Sequence, residues 1–469
     1  MGAVPGGVDT DRQPPMAVPL RHFLIGLAFL LAGAVVGVGD AAGAVPGRAR
    51  LVHVHLLLAG WVCLTIMGAM TQFVPVWSNA TLHSRRLANV QLVLVTAGML
   101  GFVVALVSLR TVWLIPFGSV MLAGFWTFVY NIARTLSTVD GLDVTERHFA
   151  VALGFFLVLT ALGLLLAVGF SVPVSARLPL ARSGLVGAHA TVAVFGAVLT
   201  TVYGALYQLG TMFTQTELHG IDHRLKAIEE IGHPIGVVVL AAGRLVGSAV
   251  VASVGGLLVL LAALAFGSIL ARKLYEMRVE PTPMHTRYGV VAAALLLWAL
   301  LSVPAWLSEP LAAAHRFGAS GTVHLLALGV IGFVVFGTLY HIVPFVVWVH
   351  RYSDRLGFEE VPMIDDLYDD RLAAIDGTFL FSGTVLLVVS GRFGLGAAVA
   401  AVAGSLVILG ILTFTGNMLL VLRRHSPHTL DRIVLGALSP RRSGGQSEGI
   451  DEDSGRDAEH SPEHVRQNG

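Results

Sequence analysis

The sequence predicts an all-α integral membrane protein with twelve transmembrane helices in three pseudo-symmetric four-helix groups. Three observations predict it. The mean hydropathy is +0.77 with only 13% charged residues, about half the share in an average soluble domain. Twelve apolar stretches follow one another along 469 residues. A frame of glycines and polar residues recurs in the second stretch of each group.

A helix needs ~20 apolar residues to cross the ~30 Å hydrocarbon layer. The first group reads 23–44, 51–76, 88–107 and 111–134. The second reads 149–171, 184–211, 226–243 and 247–271, and the third 288–308, 318–348, 372–390 and 395–422. Ala42-Gly43-Ala44 resembles a signal-peptide cleavage site, but the apolar run before it exceeds a signal core and serves as a unit of the repeat. The organisation expected is a disordered tail over 1–20, repeats over 21–134, 147–271 and 285–424, and a disordered tail over 425–469, whose Ser, Gly, Asp, Glu and Arg leave too little apolar content to fold alone.

The 30 basic and 29 acidic residues nearly cancel and lie between apolar stretches, without the basic face that nucleic-acid binding requires. Only eight basic residues (Arg48, Arg50, Arg110, Arg177, Arg182, Arg244, Arg316 and Arg392) fall opposite the N-terminal side. The positive-inside rule therefore predicts a multi-pass protein of a prokaryotic plasma membrane with both termini cytoplasmic. The single cysteine, Cys63, excludes an intramolecular disulfide, a four-cysteine iron-sulfur site and covalent haem attachment through C-x-x-C-H. Any redox chemistry must rest on histidine.

The repeat frame is Gly60, Gly68 and Gln72 in the second stretch, Gly196, Gly204 and Gln208 in the sixth, and Gly329, Gly337 and His341 in the tenth. Arg21-His22-Phe23, Arg147-His148-Phe149 and Arg287-Tyr288 open the groups, and Arg86-Leu87, Arg224-Leu225 and Arg371-Leu372 open the third stretch of each. Small residues let neighbouring backbones approach within a bilayer, so the glycines read as packing positions. Seven residues before the first frame glycine stand His53, His189 and Thr322; five before it stand His55, Thr191 and His324. Four of six slots are histidine at one depth. Neutral imidazole ligates haem iron and copper, and histidines two apart on a helix point ~200° away from each other, so one helix can serve two sites. The alternative is that these histidines are interhelical hydrogen-bonding struts, duplicated with the repeat.

His53-Val-His55-Leu-Leu-Leu-Ala-Gly60-Trp61, ending in Gln72-Phe73-Val74-Pro75, and His324-Leu-Leu-Ala-Leu-Gly329, ending in Tyr340-His341-Ile342-Val343-Pro344, resemble the second-helix motif of haem-copper oxidase main subunits. The cbb3-type oxidases and nitric oxide reductases are nearest in style. The resemblance implies His55 and His324 as axial ligands of a b-type haem, with His53 and His189 at a second centre holding haem or copper. His233 before Pro234 is the one candidate on the helix where the family carries adjacent histidines. The family's helix-10 His-x-His stands here on the second helix, leaving Thr322 in the other slot of the tenth.

The implied activity is a membrane oxidoreductase that moves electrons from a quinol or cytochrome donor toward dioxygen or nitric oxide, in contact with lipid and with partner subunits. The alternatives are a haem protein acting as sensor or carrier, and a transporter or assembly factor on the same scaffold. Gln72, Gln208 and His341, with Tyr207 and Tyr340, read as interhelical hydrogen bonds or a water path. Asp376 and the Glu229-Glu230 pair read as solvated acids at helix mouths, the acidic run over 351–371 as a solvated loop, and His219 with His223 as a weak metal pair.

Overall fold

The computed structural model describes residues 14–172 and 180–436, and among them every regular element is helical. The remainder of both expected tails, and Arg12 and Arg177, lie outside the described residues. We number the long helices α1 (Ala17–Ala41), α2 (Ala49–Trp77), α3 (Arg85–Val107), α4 (Thr111–Leu136), α5 (Val144–Val168), α6 (Arg182–Thr214), α7 (Ile221–Val246), α8 (Ala249–Tyr275), α9 (Pro283–Ser308), α10 (Leu325–Arg351), α11 (Asp370–Phe393) and α12 (Ala397–His425). Eleven of these are long and apolar enough to cross a membrane. The exception is α7, whose first turns carry Asp222, His223, Arg224, Lys226, Glu229 and Glu230. The sequence reading counted 226–243 as a span, a stretch that takes in Lys226, Glu229 and Glu230 of those turns.

Local chemistry starts the helices where the sequence allows. Ser84 caps α3 by accepting from the Leu87 amide at 3.2 Å. Asp143 and Glu146 form a reciprocal capping box on α5, which satisfies two amides that the first turn would leave bare. Pro283 opens α9 at a position where its missing N–H costs nothing.

Three helices form the interior. The apolar windows of α2, α6 and α10 are 61%, 78% and 83% buried, against 28–50% for the other eight. Those other helices pack in chain order around them, and α12 returns to pack on α1, closing the ring. Val104, Val250, Leu300, Phe381 and Val402 stand exposed on the outside, as expected of residues that meet lipid tails. The chain is a multi-pass membrane protein.

The frame glycines are crossing points. A side chain at Gly68 would come within 2.7 Å of His22 Cβ, one at Gly204 within 2.6 Å of His148 Cβ, and one at Gly337 within 3.1 Å of Arg287 Cβ. One turn-pair further along, Gly60, Gly196 and Gly329 face Phe29, Phe155 and Ala294 in the same way. Each interior helix thus meets the opening helix of its group at two corresponding points. α1 begins at Ala17, inside the segment read as tail, and a short helix α13 (Leu430–Leu435) docks on it. There Arg21 Nε donates to the Ile433 carbonyl at 2.6 Å.

Candidate functional site

Each interior helix carries a π-helical segment at one register: Leu56–Val62, Val192–Leu199 and Leu325–Gly332. These begin immediately after His55, Thr191 and His324. A π segment inserts a residue into the helical turn, shifting the faces before and after it, and such segments concentrate at functional sites. Nothing in the apolar sequences of these stretches distinguishes π from α winding.

The histidines are mounted alike. His53 Nδ1 donates to the Gly33 carbonyl of α1 at 2.8 Å, and His189 Nδ1 to the Leu159 carbonyl of α5 at 3.0 Å. Four residues beyond each acceptor is a glycine against the ring: a Cβ at Gly37 would strike the His53 imidazole, and one at Gly163 would lie 3.1 Å from His189 Cε1. His55 Nδ1 donates to the Leu51 carbonyl of its own helix at 2.8 Å, and its ring lies 5.0 Å from that of Phe102. All three Nε2 atoms have no hydrogen-bond partner among the described residues. Binding of Nδ1 to a carbonyl fixes the tautomer and leaves Nε2 as a lone-pair donor, the arrangement found behind metal-bound histidines.

The structure brings these residues together as two pairs. His324 has His53 as its electrostatic neighbour, and His189 has His55. The sequence reading had joined His55 to His324. In the structure, the histidine seven residues before the frame glycine on one helix meets the histidine five before it on another. His53 of α2 meets His324 of α10, and His189 of α6 meets His55 of α2. By that rule the third combination is Thr322 of α10 with Thr191 of α6, both fully buried. Here Arg244 of α7 enters the bundle and donates to Thr191 Oγ1 at 2.7 Å and to the carbonyls of Pro310 and His315 at 3.3 Å. Its guanidinium stands 5.4 Å from the Trp306 ring centroid. Phe195, Trp298 and Trp306 pack on one another with centroids 5.5–5.8 Å apart beside it. Arginine and aromatic rings fill this third region.

His233 is not at a helix start. It lies in the interior of α7, fully buried, with Nε2 donating to the Phe195 carbonyl at 2.9 Å and its ring edge-on to Tyr203 at 4.9 Å. His219 pairs with Glu276 at 3.0 Å rather than with His223. His219, Asp222 and Glu276 lie close enough to share an ion, but Arg272 and Lys273 already neutralise both carboxylates at 2.6–3.2 Å.

Toward the end of the bundle that carries most of the Lys and Arg, the repeat holds a second polar layer. Gln91, Glu229 and Asp376 each stand five residues after the arginine that marks α3, α7 and α11, and all three are fully buried. Each joins the opening helix to the interior helix of its group. Gln91 lies 3.5 Å from both His22 Nε2 and Thr71 Oγ1. Glu229 accepts from His148 at 3.1 Å and from Tyr207 at 2.9 Å. Asp376 pairs with Arg287 and accepts from Tyr340. The expectation that Glu229 and Asp376 are solvated is overturned; hydropathy windows could not separate a helix mouth from an interhelical strut. The acids of 351–371, in contrast, are exposed.

The fold resembles a solved one. The structure matches that of a heme-copper terminal oxidase dimer with a TM-score of 0.66 at 13% identity, over 88% of this chain and 85% of the other. No protein-family model matches the sequence, and no curated protein sequence matches it. The shared layout comprises the all-helical bundle with its interior helices; at this identity the likeness concerns the fold.

Proposed function

We propose that this chain is a haem-binding membrane oxidoreductase subunit that carries electrons, laid out like the main subunit of heme-copper oxidases. His53 of α2 and His324 of α10 would hold a b-type haem. The observation that carries the proposal is the half-buried pairing of these two imidazoles across two interior helices, with the Gly33 carbonyl and Gly37 of α1 holding the His53 ring and leaving Nε2 free. The donor chemistry fits the group: neutral imidazole is a common axial ligand of haem iron. Haem bound there supplies a one-electron couple. His53 and His324 would supply the two imidazoles, the Gly33 carbonyl orients the His53 ring, and the surrounding apolar side chains would exclude water.

Electrons come from a quinol or a cytochrome, with partner subunits in the plasma membrane of a prokaryote and both termini cytoplasmic. The acceptor named by the resemblance is dioxygen or nitric oxide. A carrier reading has its own support, because His233, the one candidate on the helix where the family carries adjacent histidines, is bonded to the Phe195 carbonyl, and Arg244 and the tryptophans fill the region of Thr191. Membranes from expressing cells test the proposal: a reduced-minus-oxidised spectrum should show Soret and α bands of low-spin haem b. His53→Ala and His324→Ala should each diminish that signal, and by the same component. Absence of any haem band refutes the function, and loss in His55→Ala with retention in His53→Ala refutes the pairing.

A further inference from the structure

The geometry points to a second tetrapyrrole-iron site, between His55 of α2 and His189 of α6, with Arg48 and Arg182 as the anchors for its carboxylates. The inference rests on the proposed haem function and deepens it.

Three observations carry it. First, this pair is the symmetry mate of the His53–His324 pair under the slot rule, and the backing of His189 by the Leu159 carbonyl and Gly163 copies the backing of His53 by Gly33 and Gly37. Residues built alike to hold one group are suited to a second copy of it. Second, the site offers two imidazole nitrogens and no more. Among the described residues, the sole group of three or more His, Cys, Asp or Glu donors within reach of one ion is the remote His219, Asp222 and Glu276. A bare copper or zinc ion seeks further protein donors, whereas a tetrapyrrole brings four in-plane nitrogens of its own and asks the protein only for axial ligands.

Third, seven residues outward of each histidine, about two helical turns, stand Arg48 and Arg182. Both are exposed, and both guanidinium groups lie on the Phe170 ring, at 4.6 and 4.3 Å from its centroid. No carboxylate pairs with either among the described residues. Guanidinium groups grip carboxylates through paired charge-assisted hydrogen bonds, and the two propionates of a haem would project toward this end.

With imidazole on both faces, the second iron is closed. It exchanges electrons with the first across α2, which contributes a ligand to each, and it binds no gas. The third position of the threefold set, Thr191 and Thr322, is the one blocked by Arg244.

The test is the haem and metal content of the purified full-length protein. Pyridine haemochrome analysis against amino-acid quantification should give two haems per chain, with copper absent by elemental analysis and no shift of the reduced spectrum under carbon monoxide. His189→Gln, chosen to preserve volume, should halve the haem content while leaving the signal lost in His53→Ala and His324→Ala. Arg48→Gln/Arg182→Gln should lose the same half on gel filtration. One haem per chain in the wild type, sensitive to His53→Ala but not to His189→Gln, overturns this inference and leaves the proposed function standing. One haem with one copper, or carbon monoxide binding at a site lost with His189, overturns it as well. No haem at all defeats the proposed function first. The wild-type stoichiometry decides even if His189→Gln fails to fold.

Discussion

Replacing Asp376 should be among the most damaging single changes that leave the histidine layer untouched. Its carboxylate is fully buried, accepts from Tyr340 and pairs with Arg287, itself 3% exposed. Arg287 keeps two other acceptors, the carbonyls of Pro283 at 2.8 Å and Ala373 at 2.9 Å, but no other carboxylate pairs with it among the described residues. Removing one partner of a buried ion pair typically costs about 3–5 kcal/mol, because the remaining charge stays out of water. Asp376→Asn retains the shape and an acceptor oxygen and should fall at about 3 kcal/mol; Asp376→Ala, which also leaves Tyr340 without its acceptor, should reach about 4–5 kcal/mol. Arg287→Met/Asp376→Leu removes both charges and should return to within about 1 kcal/mol of the wild type. The corresponding Gln91→Leu, at a neutral position whose Oε1 has no partner, should change stability by less than about 1 kcal/mol. Unfolding in mixed micelles with increasing sodium dodecyl sulfate, followed by fluorescence of the buried Trp298, Trp306 and Trp348, measures all four. An Asp376→Asn protein as stable as the wild type, or a double variant as unstable as the single one, would refute the reasoning.

Other consequences can be checked on the same preparations. Gly68→Ala places a methyl group 2.7 Å from His22 Cβ and should lower stability by about 1–3 kcal/mol through overpacking, whereas Gly232→Ala, with open space around it, should be neutral or slightly stabilising by thermal unfolding. Arg244→Ala strips Thr191 and two carbonyls of a buried donor and should cost about 1–3 kcal/mol, read from the same micelle titration. Glu276 is held below the ordinary carboxylate range by its bond to Lys273 and then by His219. Its contribution is therefore fully present above the unfolded value of about 4.3 and is lost as pH falls through the lower folded value. Glu276→Gln should flatten the acid limb of a stability-versus-pH curve, and an unchanged limb would count against the assignment.

Much of the fold is written in the hydropathy pattern, because a bilayer demands long apolar runs and forces every backbone group into a helix. The packing role read for Gly68, Gly204 and Gly337 has a related reason: each lies at a close helix crossing where an added side chain would press on the neighbouring helix. The histidine slots were legible as a layer at one depth, since spacing along a helix gives height directly. Their partners were not. Which imidazole faces which depends on rotation about three helices, and the π segments beginning at Leu56, Val192 and Leu325 alter that rotation without any marker in the apolar sequence. The fate of the buried acids was hidden for another reason. Glu229 and Asp376 sit near helix starts, where exposure is the ordinary expectation, and their partners His148 and Arg287 belong to helices about 80–90 residues away in sequence. The common offset of Gln91, Glu229 and Asp376 from the arginine that opens each third helix was the available signal.

The two polar layers together show how corresponding positions on different helices can differ in chemistry. Each group supplies the same mounting points, so the chemistry of each position is set by one or two substitutions. In the histidine layer the sequence of slots yields two imidazole pairs and one threonine pair, and the threonine pair is closed by Arg244. In the second layer the same slot is Gln91, Glu229 or Asp376, partnered by His22, His148 or Arg287. Asp376 is partnered by an arginine, whereas Glu229 faces a histidine and the His22–Gln91 strut carries no acid. In this layer α2 is the helix, among the described residues, that presents two histidines, two residues apart and so on opposite sides, with His53 neighbouring α10 and His55 neighbouring α6. A helix in that position gains from being held rigidly on α1, and the close contacts of Gly60 with Phe29 and of Gly68 with His22 supply that hold.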